Sequence, residues 1–278
     1  NTVPRGQDNL HIVSLSGDYS ISKDLKVGGA YYLYADDRNE TTLLHVLGAN
    51  FDAKIGALGL SGFAAMQQGK NRDADIYYNG YAFNAAAKLP LGPGNLRAAA
   101  LYTTGDNGDN GTNSAWQAVN TSMGAASNGF VSTSGTGANT YNDTNMMLLN
   151  RSVNMGGTTT DQNLIYSTNN KDQGVILASM GYDATITPKM YANANIGFAW
   201  AAKKNNNRPD NLRTNRANGT NFQGAEINME TGYKMYDNLT ASFQAAYLML
   251  GGYYTDTVAG NNDPEDPYTA RVILSYAF

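Results

Sequence analysis

The chain closes on Tyr268-Thr269-Ala270-Arg271-Val272-Ile273-Leu274-Ser275-Tyr276-Ala277-Phe278. Every second residue, from Tyr268 through Ala270, Val272, Leu274 and Tyr276 to Phe278, is apolar or aromatic. The alternate set, Thr269, Arg271, Ile273, Ser275 and Ala277, is mixed and carries an arginine. Alternation with period two predicts a strand with one face against an apolar medium.

The same alternation recurs along all 278 residues. Val13, Leu15, Gly17, Tyr19 and Ile21 alternate with Ser14, Ser16, Asp18 and Ser20. Leu25 to Leu33, His45 to Phe51, Leu58 to Met66, Tyr77 to Leu89 and Leu96 to Tyr102 follow the rule. So do Ile176 to Ile186, Ala192 to Trp200, Ala225 to Met235 and Leu239 to Met249. The pattern predicts eleven strands of about 9 to 14 residues, where ordinary globular strands have about 5 or 6. A strand tilted by about 45° needs about 9 to 11 residues to cross a bilayer. Length is therefore the first argument against a soluble sandwich.

The connections are the second. Short turns at Ser22 to Asp24, Ile55 to Gly56, Pro90 to Gly94, Thr187 to Lys189 and Tyr236 to Asn238 alternate with polar segments at 36–41, 68–74, 104–173, 203–221 and 251–267. Transmembrane barrels sort their connections this way, tight on one side and long on the other. An interior ringed by eleven long strands is also too wide for side chains to fill, since about eight strands is the limit for a packed barrel core. The apolar face is therefore expected outside, against lipid, with a polar, water-filled lumen. Tyr19, Tyr182, Tyr233, Tyr276 and Phe278 fall near the turn end. Tyr31, Tyr77, Tyr102, Tyr247 and Tyr268 fall near the loop end. Two such aromatic belts mark the two membrane interfaces.

Composition narrows the functional classes. Hydrophobic residues make up 42%, charged residues 15%, and the mean hydropathy is −0.42. No run of about 18 apolar residues exists, so no helix is expected to cross a membrane. The absence of cysteine excludes disulfides and thiolate zinc sites. A net charge of −4 and a pI near 5.1 argue against a nucleic-acid partner. The chain shows no leader and no initiator Met, which suggests a processed chain or a fragment.

A terminal strand with Phe278 last, Tyr276 two before it, and Leu274 and Val272 continuing the apolar face resembles the assembly signal of Gram-negative outer-membrane proteins. With the strand repeat and the sorted connections, the whole chain resembles a porin-like outer-membrane barrel. That resemblance implies an all-β, antiparallel transmembrane barrel as one domain over residues 1–278. It also implies outer-membrane lipid and lipopolysaccharide around it, insertion machinery that recognises the last strand, and a homo-oligomer, by analogy a trimer. Such barrels hold an even number of strands. The first and last of eleven run the same way, so 12 or more is expected, 16 being one such number, with at least one strand upstream of residue 1. A strand missed at Gln162 to Thr168 is the alternative.

The lumen face is expected to carry Asp18, Lys26, Asp52, Arg97, Glu226, Glu230 and Arg271 as pore-lining charges. Mixed charges along a wet channel select among small solutes. Arg97, Arg271, Glu226 and Glu230 are expected deeper within the strands. Lys54, Lys88, Asp183 and Lys234 lie beside turns and are expected as solvated rim charges. The segment 104–173 holds Trp116, Phe130, Met146, Met147, Leu148 and Leu149. It is far longer than ordinary connections, a length that signals function or disorder. In general porins a long loop folds into the pore, and the resemblance extends to this segment. A surface loop packed on its neighbours is the competing reading.

No cofactor is expected. Asp106 and Asp109 in one polar stretch, and Asp263 and Asp266 in another, offer oxygen ligands of the kind calcium takes. Their spacing matches no EF-hand loop, and turn chemistry explains them equally. The histidines, His11 and His45, fall on the lipid face, so no nucleophile–base pair is expected and the chain is read as no enzyme. The leading function is passive diffusion of ions and small hydrophilic solutes. The alternatives are a barrel that sheathes a cytochrome or an exported polymer, and a sugar channel using Tyr32, Tyr34 and Tyr78.

Overall fold

A computed structural model of the chain describes residues 9–37, 41–117, 141, 144–150, 164, 165, 167–203, 220–255 and 264–277. Each long alternating segment pairs with the next along the chain. The strands are β1 (Leu10–Ser22), β2 (Leu25–Asp36), β3 (Thr42–Ile55), β4 (Leu58–Asn71), β5 (Ile76–Leu91) and β6 (Gly94–Thr103). After a two-residue β7 (Thr112–Asn113) come β8 (Val175–Thr187), β9 (Met190–Ala201), β10 (Phe222–Tyr236), β11 (Leu239–Leu250) and β12 (Tyr268–Tyr276). A one-turn helix, α1 (Gly252–Thr255), follows β11. All form a single sheet in chain order, except that β7 lies off the path and pairs parallel with β5. Every other pairing is antiparallel.

The tight turns set the register. Ser22 faces Leu25, Ile55 faces Leu58, Leu91 faces Gly94, Thr187 faces Met190, and Tyr236 faces Leu239, leaving two residues in each turn. Gly56 opens one of these with φ of 64°, which costs glycine little and a residue with a Cβ much more. Once the turn fixes register, period two sends each apolar set to one face, because a one-residue slip would invert it.

Two expectations about the connections need correction. The segment 68–74 is not a loop: β4 continues to Asn71 and β5 resumes at Ile76. Lys70 and Tyr77 pair there as strand residues. Nor do the described residues of the segment Gln162 to Thr168 form a strand. The short strand found among the described residues of 104–173 is β7.

The outward face carries an apolar, unburied band that runs across the sheet. Leu15, Leu47, Phe51, Met180, Met229, Phe243, Val272 and Leu274 all lie on it, with Leu15 72% and Val272 75% exposed. Soluble monomers rarely expose an apolar patch beyond a few hundred Å². A band spanning eleven strands exceeds that by far, and hydrocarbon is the medium that accommodates it.

Residues from β1 to β6 and from β8 line one cavity of 890 Å³, so the sheet curves around it. The edge strands β1 and β12 do not pair with each other among the described residues, and both run in the same direction. Antiparallel closure therefore takes an odd number of further strands, giving an even total.

A charge in the outward band tests its orientation. Phe243→Lys, near the middle of the band, is expected to cost about 2–4 kcal/mol in lipid. Ser275→Lys on the inward face of β12 is expected to cost less than about 1 kcal/mol, as surface changes do. Urea unfolding of each variant in vesicles measures both.

Candidate functional site

The inner face divides into two halves. At the turn end the wall is polar. Lys26, Asp52, Lys54, Lys88, Arg97 and Asp183 line the 890 Å³ cavity, with Asn145 of the long connection at its boundary. Lys26 pairs with Asp18 at 2.8 Å. Both side chains are about half exposed, so the pair contributes little energy and mainly fixes charge positions. Arg97 grips Asp183 through two nitrogens, one contact being 2.9 Å, and also donates to Asn195 at 2.8 Å. Lys54 and Lys88 form no ion pair among the described residues. Charge on this wall is thus partly neutralised and partly free to meet a solute.

At the loop end the inner face carries a buried apolar patch beside buried polar side chains such as Gln67, Glu226 and Asn228, contrary to the expectation of a water-filled polar lumen throughout. Leu44, Leu101, Val175, Leu177, Ala199 and Leu248 face inward and are almost fully buried. Chain from the long connection buries them: Tyr141, Met146, Leu149 and Ile165 pack with Ala99, Leu101, Val175, Leu177, Ala199 and Leu248 in one cluster. Trp116 packs with Tyr32, Tyr34 and Tyr78 over Leu44 and Val46 in another.

Directed hydrogen bonds complete this packing. Glu226 has no exposed surface. One carboxylate oxygen accepts the Met147 N–H at 2.7 Å, and the other accepts Leu148 N–H at 2.9 Å and Leu149 N–H at 2.6 Å. The Asn228 amide donates to the first oxygen at 2.7 Å and to the Asn145 carbonyl at 3.0 Å. Three successive N–H groups converging on one anion form a backbone nest. Burying a carboxylate costs several kcal/mol, and four donors offset that cost. With its amide turned so that the oxygen rather than the nitrogen faces the guanidinium, the Asn145 side chain accepts from Arg97 at 2.6 and 3.2 Å. Asn145 itself has a φ of 55°, a conformation asparagine tolerates better than most residues. Beside it, Met146 occupies the space over Gly197, where a Cβ would sit 2.4 Å from the methionine sulfur. Elsewhere, Gln67 and the Gln117 backbone exchange bonds of 2.8 and 2.7 Å. Leu164 and Ile165 donate to the Leu148 and Leu149 carbonyls.

No family model matches the chain, and a search of curated proteins finds no match. Solved structures do match. The outer membrane channel DcaP of Acinetobacter baumannii aligns with a TM-score of 0.52 over 95% of this chain, at 11% identity. The fold is that of outer-membrane β-barrel channels. OccK3 (OpdO) of Pseudomonas aeruginosa aligns with a TM-score of 0.50 over 95% of this chain, at 13% identity. The present chain spans 62% of the DcaP chain and 56% of the OccK3 chain. At these identities the shared property is the barrel architecture.

Against that architecture the expected residues sort as follows. Asp18, Lys26 and Asp52 stand together at the turn end. Arg97 is not deep in the wall but three residues from the turn at Gly94, where it pairs with the supposed rim charge Asp183. Glu226 does not face water. It lies beneath the segment it binds, and this is the largest correction. Glu230 accepts from Tyr191 at 2.6 Å and from Gln244 at 2.9 Å. Arg271 lies opposite Gln244, and its Nε donates to Thr269 at 3.3 Å. Met146 and Met147 are buried anchors rather than exposed groups. Trp116 and Leu148 are half-buried.

Phe130, Asp263 and Phe278 lie outside the described residues. Asp106 accepts from Ser114 N–H at 3.2 Å and Asp266 from Leu250 N–H at 2.8 Å, the turn chemistry already weighed against calcium. No group of three His or carboxylate side chains placed to hold a metal occurs among the described residues. Asn145, Asn195, Asn228 and Gly197 escaped the sequence reading. Their signal was present: Glu226 sits between Gly197 and Leu248 on an inner face that should otherwise be hydrophilic.

Removing the carboxylate tests the clasp. Glu226→Ala leaves three buried N–H groups without an acceptor, at about 1–3 kcal/mol each. Amide exchange at Met147, Leu148 and Leu149 is expected to accelerate by at least about tenfold, the factor that 1.4 kcal/mol produces. Peptide-resolved hydrogen exchange measures it.

Proposed function

We propose that the protein is an outer-membrane channel for passive diffusion of small hydrophilic solutes, with the described residues 144–150 of the long connection narrowing its lumen. The observation that carries this reading is the pairing of an apolar outer face with an 890 Å³ cavity on the inner one that charged side chains line. A void lined by charges inside an apolar sheath has a physical role when water and solutes move along it. The fold shared with DcaP, a channel by its description, agrees with the reading.

The wall chemistry suggests how solutes are sorted. Lys23, Lys26, Lys54, Lys88 and Arg97 line the cavity beside Asp24, Asp52 and Asp183. Low-dielectric walls focus such fields, so the unpaired Lys54 and Lys88 favour anions at the turn-side mouth. A sugar path has weaker support, since Tyr32, Tyr34 and Tyr78 pack against Leu44, Val46 and Trp116 rather than forming a free row. A sheath for a protein or polymer fits poorly with chain already packed on the inner wall of β6 and β8 to β11.

Planar-bilayer recording tests the proposal. The purified protein is expected to give steady ohmic conductance. In a KCl gradient, Lys54→Glu with Lys88→Glu is expected to move the reversal potential toward that of potassium. Glu226→Ala is expected to raise conductance by freeing the narrowing segment. Absence of conductance from protein shown to be inserted would overturn the reading.

A further inference from the structure

The outward face is not uniform around the sheet. On β4 it runs Leu58, Leu60, Gly62, Ala64 and Met66, then turns polar at Gln68 and Lys70. At about 3.3 Å per residue and a tilt of about 40°, each residue climbs about 2.5 Å. Gln68 therefore stands about 25 Å above Leu58 and Lys70 about 30 Å, and an apolar barrel band is itself about 25 Å tall. Polar side chains begin where hydrocarbon ends.

The register carries this polar face across the neighbouring strands. His45 pairs with Gln68 and Gln68 with Asn79. Lys70 pairs with Tyr77, and His11 lies at the matching level of β1, opposite Ala35. At a comparable distance from their turns, the other strands present Trp200, Met249 and Ile176. Those are the aromatic and apolar residues that an interface belt ordinarily uses. The polar positions are thus confined to β3–β5 and to His11 of β1, with Ala35 and Leu43 lying among them.

Its side chains are preorganised. The Tyr31 hydroxyl and His45 Nδ1 share a 2.7 Å hydrogen bond. Lys70 donates to the Tyr77 hydroxyl at 3.0 Å, lies 4.3 Å from the centre of the Tyr77 ring, and pairs with Asp75 at 2.6 Å. Asp75 is 80% exposed, so that pair is weak and exchangeable. The neighbouring Arg72 is exposed and forms no ion pair among the described residues. Asp73, the other carboxylate here, is engaged by the Thr41 N–H at 2.6 Å.

We propose that His45, Gln68, Lys70, Arg72 and Tyr77 form a site on the outer wall for the phosphorylated sugar headgroup of an outer-leaflet glycolipid. Lys70 and Arg72 meet the phosphate, and the arginine fork suits its geometry. Gln68 and His45 bond to sugar hydroxyls, and Tyr77 offers the ring face. The acyl chains of such a lipid lie along Leu47, Met66 and Tyr81, which continue the same outward face toward the turn end. The height of the polar rows, the position of the cations and the apolar surface beneath them all favour an amphiphile with a charged head over a soluble anion or a second protein surface.

This inference rests on the membrane reading of the outward face, and the test separates the two. Full-length protein is inserted into phospholipid vesicles containing trace bisphosphorylated lipid A, extracted mildly, and examined by native mass spectrometry. Wild type is expected to retain lipid A. Lys70→Gln with Arg72→Gln is expected to retain about tenfold less, the effect of losing about 1.4 kcal/mol of charge-assisted binding. Dephosphorylated lipid A is expected to show the same loss on wild type. Trp200→Leu, at the same level on the opposite side, is expected to retain lipid A like wild type. Equal retention by the double variant, equal retention of dephosphorylated lipid, or a change in oligomeric mass in place of lipid loss would each overturn the site. Failure of wild type to insert at all would instead overturn the membrane reading.

Discussion

Hydrocarbon offers backbone N–H and C=O groups no partner, so a chain that crosses it with strands must pair them all between neighbouring strands. That constraint organises everything else in this protein. It demands long strands, because a short strand would leave backbone unpaired within the bilayer. It keeps the connections tight where the chain turns at once, through two-residue turns such as that opened by Gly56. It also places the apolar side chains outward, since the pairing uses up the backbone and leaves only the two faces to differ.

The inner face answers to a different requirement. At the turn end, charge and water coexist: Lys26 with Asp18, Arg97 with Asp183, and lysines that remain free. At the loop end, Leu101, Leu177 and Leu248 would leave an apolar wall in water if nothing covered them. Chain from the long connection does cover them, and the cost of bringing backbone there is met by Glu226, Asn228 and Arg97. The apolar patch supplies most of the attraction, which is not directional. The carboxylate supplies position, because three N–H groups can converge on it in only one arrangement. Together they fix Asn145 at the boundary of the cavity, so the segment clasped by Glu226 and the charges of the cavity wall are coupled through Arg97.

The outer face carries a second asymmetry of the same kind. Where β8, β9 and β11 present Ile176, Trp200 and Met249 at the loop-side end of their apolar run, β3 and β4 present His45, Gln68 and Lys70. A bilayer is layered along its normal, so chemistry that changes at one height reflects the layer present at that height. Chemistry that changes around the circumference at that height reflects a particular neighbour.

Period two is a local property, and so the terminal segment from Tyr268 to Phe278 and its repeats determined the strands, their outward faces and the sorted turns without any tertiary information. Boundaries were less legible where polar residues continued a strand past the membrane. Gln68 to Asn71 looked like a loop because side-chain chemistry there follows water, whereas the backbone ladder follows its partner. The inner face could not be resolved from alternation, which states that a residue faces inward and not what covers it. Glu226 and Arg97 have the same period and polarity as any water-facing charge. Only the return of Met147, Leu148 and Leu149 from about 80 residues away turns one into a buried clasp, and only the curvature of the sheet brings Asn145 within reach of the other. Pairing between adjacent strands is written in neighbouring residues, whereas contact across the inner face depends on the curvature of the whole sheet, which no single segment encodes.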